Sequence, residues 1–195
     1  MIIKSLELQD YRNYNSLNLT FDKGTNIFYG DNAQGKTNML EAVYMLAGGR
    51  SFRPRFDREM ITFDALSAEI KAEIFAAERA QKLEINLKRG QKKEIKLNGV
   101  KKSSTELGET LKAVLFCPDD LNLIKEGAAA RRRLMDMAIS QLRPGYAKLL
   151  SDFNKLYENK SRILRDYREN PSMLDTLDDF SASLALVSAR MIRYR

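Results

Sequence analysis

A chain of 195 residues with no histidine, one cysteine and a net charge of +7 excludes several chemistries at once. It has no His general base, no Ser-His-Asp triad and no His-ligated metal, and Cys117 alone can form neither an internal disulfide nor a cysteine-rich zinc site. No apolar run reaches the about 18 residues that a membrane span needs, and the basic excess favours polyanionic partners such as nucleic acid.

At 44% hydrophobic and 30% charged, the chain can bury a core of one or two domains. Met1-Ile2-Ile3-Lys4-Ser5 leads into a strand pattern rather than a signal peptide, and the cysteine usage suits a reducing cytoplasm.

Ile3 to Gln9 alternates as a strand, with Leu6 and Leu8 on one face. Residues 10–15 have turn composition, and Leu17, Leu19 and Phe21 mark a second strand. Arg12 and Asn13 would lie on a loop able to approach a ligand, although solvated turn residues fit the spacing equally well. Asp22-Lys23-Gly24 turns the chain into Thr25-Asn26-Ile27-Phe28-Tyr29, a short β-rich run read as a third strand.

Gly30-Asp31-Asn32-Ala33-Gln34-Gly35-Lys36-Thr37 then reads G-x-x-x-x-G-K-T, the phosphate-binding loop of nucleoside triphosphatases. A helix follows from Asn38 to Ala47, with Leu40, Val43, Tyr44 and Ala47 expected on one face. Strand, glycine loop and helix in that order is the arrangement the motif requires. The chemistry explains the residue types. Backbone N–H groups converge on phosphate at the positive end of the helix dipole, and glycines permit the close approach. Lys36 brings a cation to the phosphates, and the Thr37 hydroxyl would hold Mg²⁺. The competing reading is a surface turn that happens to carry Gly and Lys, but the flanking elements favour the motif.

The helix stops at Gly48-Gly49. These glycines follow a helix, where they act as a C-cap. They do not start one, so Leu46 to Ser51 is not the L-S-G-G-Q signature of ABC-type ATPases. Residues 51–64 form a polar connector with Arg53, Arg55 and Arg58, which could meet DNA, a partner or only water.

Glu69 to Phe75, Lys82 to Leu87 and Glu94 to Leu97 are strand patterns, and Asn98-Gly99 is a tight-turn signal before Val100-Lys101-Lys102. The result is an antiparallel meander with Lys92, Lys93, Lys101 and Lys102 near its tips, a candidate footprint for a phosphate backbone. Lysine also blunts exposed sheet edges, so a structural role competes. Ser103 to Glu106 can cap a short helix ending at Leu111. Ala113 to Phe116 reads as a buried strand. Asp119 and Asp120 follow it only after Cys117 and Pro118, so they mimic a Walker B acid imperfectly, and a metal-linked role for them stays open.

Glu126 to Leu142 is helical and carries Arg131-Arg132-Arg133. Tyr146, Leu149, Phe153, Leu156, Lys160, Ile163 and Tyr167 recur at spacings of three and four. Leu177, Phe180, Leu184, Val187, Met191 and Tyr194 do the same after a break at Asn170-Pro171-Ser172. Two such helices predict an antiparallel hairpin.

LxLxDYRNY at 6–14, GDNAQGKTNMLEAVYMLAGGRSFR at 30–53, FCPDDLNLIKEGAAARRRLMD at 116–136 and the SQL at 140–142 resemble the RecF family of bacterial recombination-mediator ATPases, relatives of SMC and Rad50 proteins. The resemblance implies an α/β P-loop NTPase head of the ABC/SMC type. Residues 1–120 would be its N-terminal lobe, and 121–195 would be an incomplete inserted helical arm. It also implies an ATP and Mg²⁺ site at Gly30 to Thr37 with Asn38, Arg12 and Asn13. It implies ATP-dependent homodimerisation, binding to double-stranded DNA and ss/dsDNA junctions, and cooperation with RecO and RecR to load RecA at gaps, in DNA repair, replication, recombination and the SOS response. Asp119 and Asp120 would lie where related heads place a nucleotide-sensing glutamine loop. The family's signature motif, Walker B pair and D-loop are absent from the sequence. The expectation is therefore an N-terminal fragment that grips nucleotide, with weak hydrolysis belonging to a longer parent. The alternatives are a non-hydrolysing DNA- or partner-binding module and an unrelated small P-loop kinase.

Overall fold

The computed structural model describes residues 1–53, 56–118, 120, 127–143 and 145–195. They divide into two compact units, Met1–Leu115 and Phe116–Arg195.

In the first unit the period-2 pattern produces a six-stranded antiparallel sheet. Its strands are β1 (Ile2–Tyr11), β2 (Tyr14–Thr20), β3 (Ser67–Ala76), β4 (Arg79–Lys88), β5 (Glu94–Leu97) and β6 (Val100–Lys102), in the order β2-β1-β3-β4-β5-β6. Register follows the apolar sets: Leu6 faces Leu19 on β2 and Ala72 on β3, and Ile70 faces Ile85 on β4. Leu6, Leu8, Ile70, Ile74, Leu83, Ile85 and Leu87 are buried together on one face. A one-residue slip would turn all of them to water, so the register is strongly specified. On the opposite face Glu7, Lys71, Glu84 and Lys96 stand directly opposite one another across β1, β3, β4 and β5. The alternating signs make each cross-strand neighbour attractive.

Helix α1 (Lys36–Gly48) lays Met39, Ala42, Met45 and Leu46 on the apolar face of the sheet. This corrects the face expected from spacing in part: Ala47 is buried and Val43 packs against the core, but Leu40 is exposed and Tyr44 is only partly buried. The helix is apolar almost all round, so its period could not select the buried side. Gly49 N–H bonds the Met45 carbonyl at 2.7 Å and closes the helix as its C-cap.

Two expected strands are absent. Residues 25–29 and 113–116 belong to no strand, with Tyr29 91% and Val114 98% exposed. Both runs have β-type composition, but a strand exists only where a neighbour supplies its hydrogen bonds. Among the described residues no strand lies beside either.

Helix α2 (Ser104–Thr110) starts at a complete capping box. The Glu106 carboxylate accepts from Ser103 N–H and Ser103 Oγ, both at 2.8 Å, and from Lys102 Nζ at 3.0 Å. The Ser103 backbone bond, then Lys102, then the Ser103 hydroxyl pull its pKa from 4.5 down to about 2. A depressed carboxylate stabilises the fold above its unfolded pKa and ceases to do so as pH falls through its folded pKa. The protection of the Ser103 amide, its exchange rate relative to the intrinsic rate at each pH, is therefore expected to hold above about pH 4.5 and to be lost as pH drops toward about 2. Protection at Ser103 that is unchanged over that window would contradict the cap.

The second unit holds α3 (Ala128–Leu142), α4 (Tyr146–Asp166) and α5 (Leu177–Tyr194). The seam positions of α4 are its less exposed side, with Tyr146 and Ile163 fully covered. At the open end of the hairpin, Tyr146 meets Tyr194 edge-on at 5.5 Å, which brings the start of α4 to the end of α5. Asp136 of α3 accepts from Tyr146 Oη at 2.6 Å and from Nε and Nη2 of Arg195, tying the three helices together. The expected helix from Glu126 begins at Ala128 among the described residues, and Arg131, Arg132 and Arg133 are exposed on it.

Candidate functional site

The chain reaches residue 30 without a strand partner and then wraps tightly into α1. Gly30 has φ +136°, Ala33 +66° and Gly35 +98°, positive-φ positions of the kind from which anion-binding concavities are built. Gly35 is the N-cap, no side chain caps α1, and no acid lies in its first turn. The leading N–H groups of a helix have no partner within it, so this end presents donors and positive dipole to an anion.

Lys36 Nζ bends back onto the loop, donating to the Gly30 carbonyl at 2.7 Å and the Asp31 carbonyl at 2.5 Å. That posture places the ammonium inside the loop's concave side. A Cβ on Gly35 would lie 2.7 Å from the Asn13 amide and from Tyr14 Oη, so these two side chains form a lid over the loop. Asn38 Nδ2 donates to Asn13 Oδ1 at 2.8 Å, and Arg53 Nη2 donates to Asn38 Oδ1 at 3.1 Å. The structure thus brings Asn13, Gly35, Asn38 and Arg53 together, with Arg12 and Lys36 next to Asn13 and Gly35 in the chain. Asp31, Asn32, Ala33 and Gln34 remain on the exposed rim. An open cleft of about 500 Å³ adjoins the group, lined by Arg12, Asn13, Asn38, Arg58, Ile61 and Phe63.

The donor set fits a polyphosphate: uncapped amides, one ammonium and nearby guanidinium groups, with no opposing carboxylate at the helix start. Thr37 supplies one hydroxyl in the first turn of α1. One such oxygen suffices for Mg²⁺, which keeps several waters and takes further ligands from phosphate. Among the described residues no group of three or more His, Cys, Asp and Glu could hold a metal by itself. Asp120 Oδ2 accepts from Cys117 N–H at 2.7 Å and from Cys117 Sγ at 3.2 Å, bonds that lower its pKa and engage the carboxylate in its own turn. Asp119 and the connector's Arg55 lie outside the described residues.

The meander lysines are less free than their spacing suggested. Lys93 pairs with Asp57 at 2.8 Å, Lys101 with Glu94 at 2.6 Å and Lys102 with Glu106 at 3.0 Å. Among the described residues no acid pairs with Lys92. Exposed ion pairs are individually weak, so a polyanion can compete for these lysines.

Sequence reasoning missed Glu41, Tyr11, Tyr14 and Ser51. The one available signal was an acid inside an apolar helical run, four residues past Thr37. Arg12 Nε and Nη2 grip the two oxygens of fully buried Glu41 at 2.9 and 3.0 Å, and Arg12 Nη1 donates to the Glu59 carbonyl at 2.8 Å. The Glu41 bonds raise the Arg12 pKa against the opposing effect of burial. Arg12 itself has a left-handed φ of +55°.

The model of the RecF/RecN/SMC N terminal domain matches residues 2–189. The DNA replication and repair protein RecF of Ruminiclostridium cellulolyticum is 40% identical over 198 residues, covering 100% of this chain and 53% of that protein. RecF of Lachnospira eligens is 38% identical over 198 residues, with 100% and 54% covered. This chain therefore spans about half the length of the curated relatives it matches. Among solved structures, the recombination mediator protein RecF-ATP of the RecFOR pathway superposes with TM-score 0.92 at 35% identity, over 98% of this chain and 52% of that one. An SMC ATPase shares the fold at TM-score 0.58 and 21% identity, over 70% of this chain and 98% of that one.

Proposed function

The chain belongs to the RecF/RecN/SMC N-terminal domain family, and from that premise we propose that it grips the triphosphate of Mg²⁺-ATP as part of an ATP-dependent, DNA-binding recombination mediator. The observation that carries this reading is the uncapped start of α1, with the Lys36 ammonium folded against the Gly30 and Asp31 carbonyls. On phosphate binding the ammonium leaves two neutral carbonyls for anionic oxygens, a stronger charge-assisted partner. Thr37 holds Mg²⁺, Asn13 and Asn38 close over the phosphates, and the cleft beside Arg58 and Phe63 takes the base.

In the proposed whole protein, two such heads close on ATP, engage double-stranded DNA and ss/dsDNA junctions in the cytoplasm, and act with RecO and RecR to load RecA. In this proposal the part played by this chain is to bind the nucleotide, and turnover belongs to the whole protein. Calorimetric titration of the folded chain with ATP, with and without Mg²⁺, tests the reading. Magnesium-dependent uptake is expected, and its absence would remove the proposal's physical basis.

For DNA, reversing Lys92, Lys93, Lys101 and Lys102 to Glu is expected to weaken duplex binding and flatten the slope of log affinity against log salt. The slope should fall by roughly one unit for every phosphate that no longer meets a lysine. An unchanged slope would move the DNA surface off the meander.

A further inference from the structure

Glu41 is a fully buried carboxylate that belongs to no phosphate-binding pattern. A buried charge persists only where it is paired and hydrogen-bonded. Its partners come from segments far apart in sequence. Arg12 arrives from the β1–β2 turn and takes both oxygens, and the Ser51 hydroxyl donates to Oε1. Arg53 Nη2 stands 3.8 Å from Oε2 while it holds Asn38. Through Asn38 and Asn13 the cluster reaches Gly35, so Glu41 is linked to the phosphate loop by side chains alone.

A second buried group faces this cluster. The Tyr11 hydroxyl is fully buried and makes no well-formed hydrogen bond among the described residues. Burial, and then the neighbouring Glu41 carboxylate, hold its proton tightly. A carboxylate accepts about four hydrogen bonds, and among the bonds of the described residues Oε2 of Glu41 takes one, from Arg12 Nε. A donor without a proper bond therefore sits beside an acceptor with spare capacity, an arrangement that needs a reason. Arg12 meanwhile commits three of its five N–H donors to Glu41 and Glu59, from a left-handed backbone position that stores strain.

We propose that Glu41 and Tyr11 are positioning residues for Arg12. Glu41 aims the guanidinium along the edge of the loop. When Arg12 turns N–H donors to the phosphates of a nucleoside triphosphate, the Tyr11 hydroxyl closes onto Glu41 and keeps its charge compensated. The inference rests on reading the loop as a triphosphate site.

The test is calorimetric titration with magnesium-ATP of the 195-residue chain and of its Tyr11→Phe, Glu41→Gln and Arg12→Ala variants, singly and combined. Tyr11→Phe is expected to weaken ATP binding about threefold or more, and Glu41→Gln about tenfold. In the Arg12→Ala background neither change should weaken binding further. Tyr11→Phe should also leave the thermal midpoint of the ligand-free chain unchanged or raised, because the hydroxyl makes no well-formed bond there; a purely structural role would lower it. Where Glu41→Gln does not fold, Tyr11→Phe, which keeps the ring, decides. Wild-type affinity in Tyr11→Phe, or equal losses with and without Arg12, overturns this inference alone. No ATP uptake by the unmodified chain overturns the reading of the loop, and the inference with it.

Discussion

Lys36→Ala is expected to lower the affinity for magnesium-ATP about a hundredfold or more, while the folded chain keeps its thermal midpoint. The two effects separate because of what Lys36 touches. In the ligand-free chain its ammonium bonds two exposed carbonyls of its own loop, and surface bonds of this kind contribute little to stability. Against phosphate the same ammonium makes charge-assisted bonds to anionic oxygens, each worth about 1.5–3 kcal/mol, and 1.4 kcal/mol is a factor of ten in affinity. Calorimetry and thermal melting on one preparation check both halves. Equal ATP affinity in the variant would mean that the amides alone hold the ligand. A large fall in midpoint would mean that Lys36 braces the loop rather than the nucleotide.

Gly35→Ala is expected to damage both folding and binding. At φ +98° an L side chain is strained, which costs about 1–3 kcal/mol. The added Cβ would also meet the Asn13 amide and Tyr14 Oη at 2.7 Å. Asn13 is held by Asn38, so moving it away disturbs the lid and the Arg53 contact behind it. Gly30→Ala is the internal comparison: its φ of +136° is equally unfavourable, but a Cβ there meets open space. Denaturant midpoints should therefore fall for both variants, and further for Gly35→Ala. Nucleotide affinity should fall for both, and further where the lid is displaced. Equal effects of the two changes would show that backbone strain, not the Asn13–Tyr14 contact, governs the position.

Much of the fold can be read from spacing. Leu6, Leu8, Ile70, Ile74, Leu83 and Ile85 alternate with polar residues, and a period of two leaves one face to bury. The hairpin of α4 and α5 was legible for a related reason: apolar residues at spacings of three and four leave a single stripe, and Tyr146 and Ile163 lie on it. Composition was less informative where it was uniform. In α1, apolar residues run nearly all round, so the buried side was decided by where the sheet lies. Thr25 to Tyr29 and Ala113 to Phe116 have β composition but no described neighbour, and ladder hydrogen bonds are a property of pairs.

For the site, the order of residues alone determined the glycine loop before α1. Glycines, lysine and threonine at fixed offsets before a helix specify local backbone geometry, and local geometry is enough to leave the start of α1 without a side-chain cap. The rest depended on the tertiary fold. Arg12, Glu41, Ser51 and Arg53 converge only because the β1–β2 turn and the connector after α1 are folded against the same helix. Tyr11 is left without a proper hydrogen bond because β1 buries it there. Three of the four meander lysines meet acids that spacing could not assign to them. A local motif is written in consecutive residues, whereas the pairing of a buried charge depends on which distant segments the sheet and helix bring together.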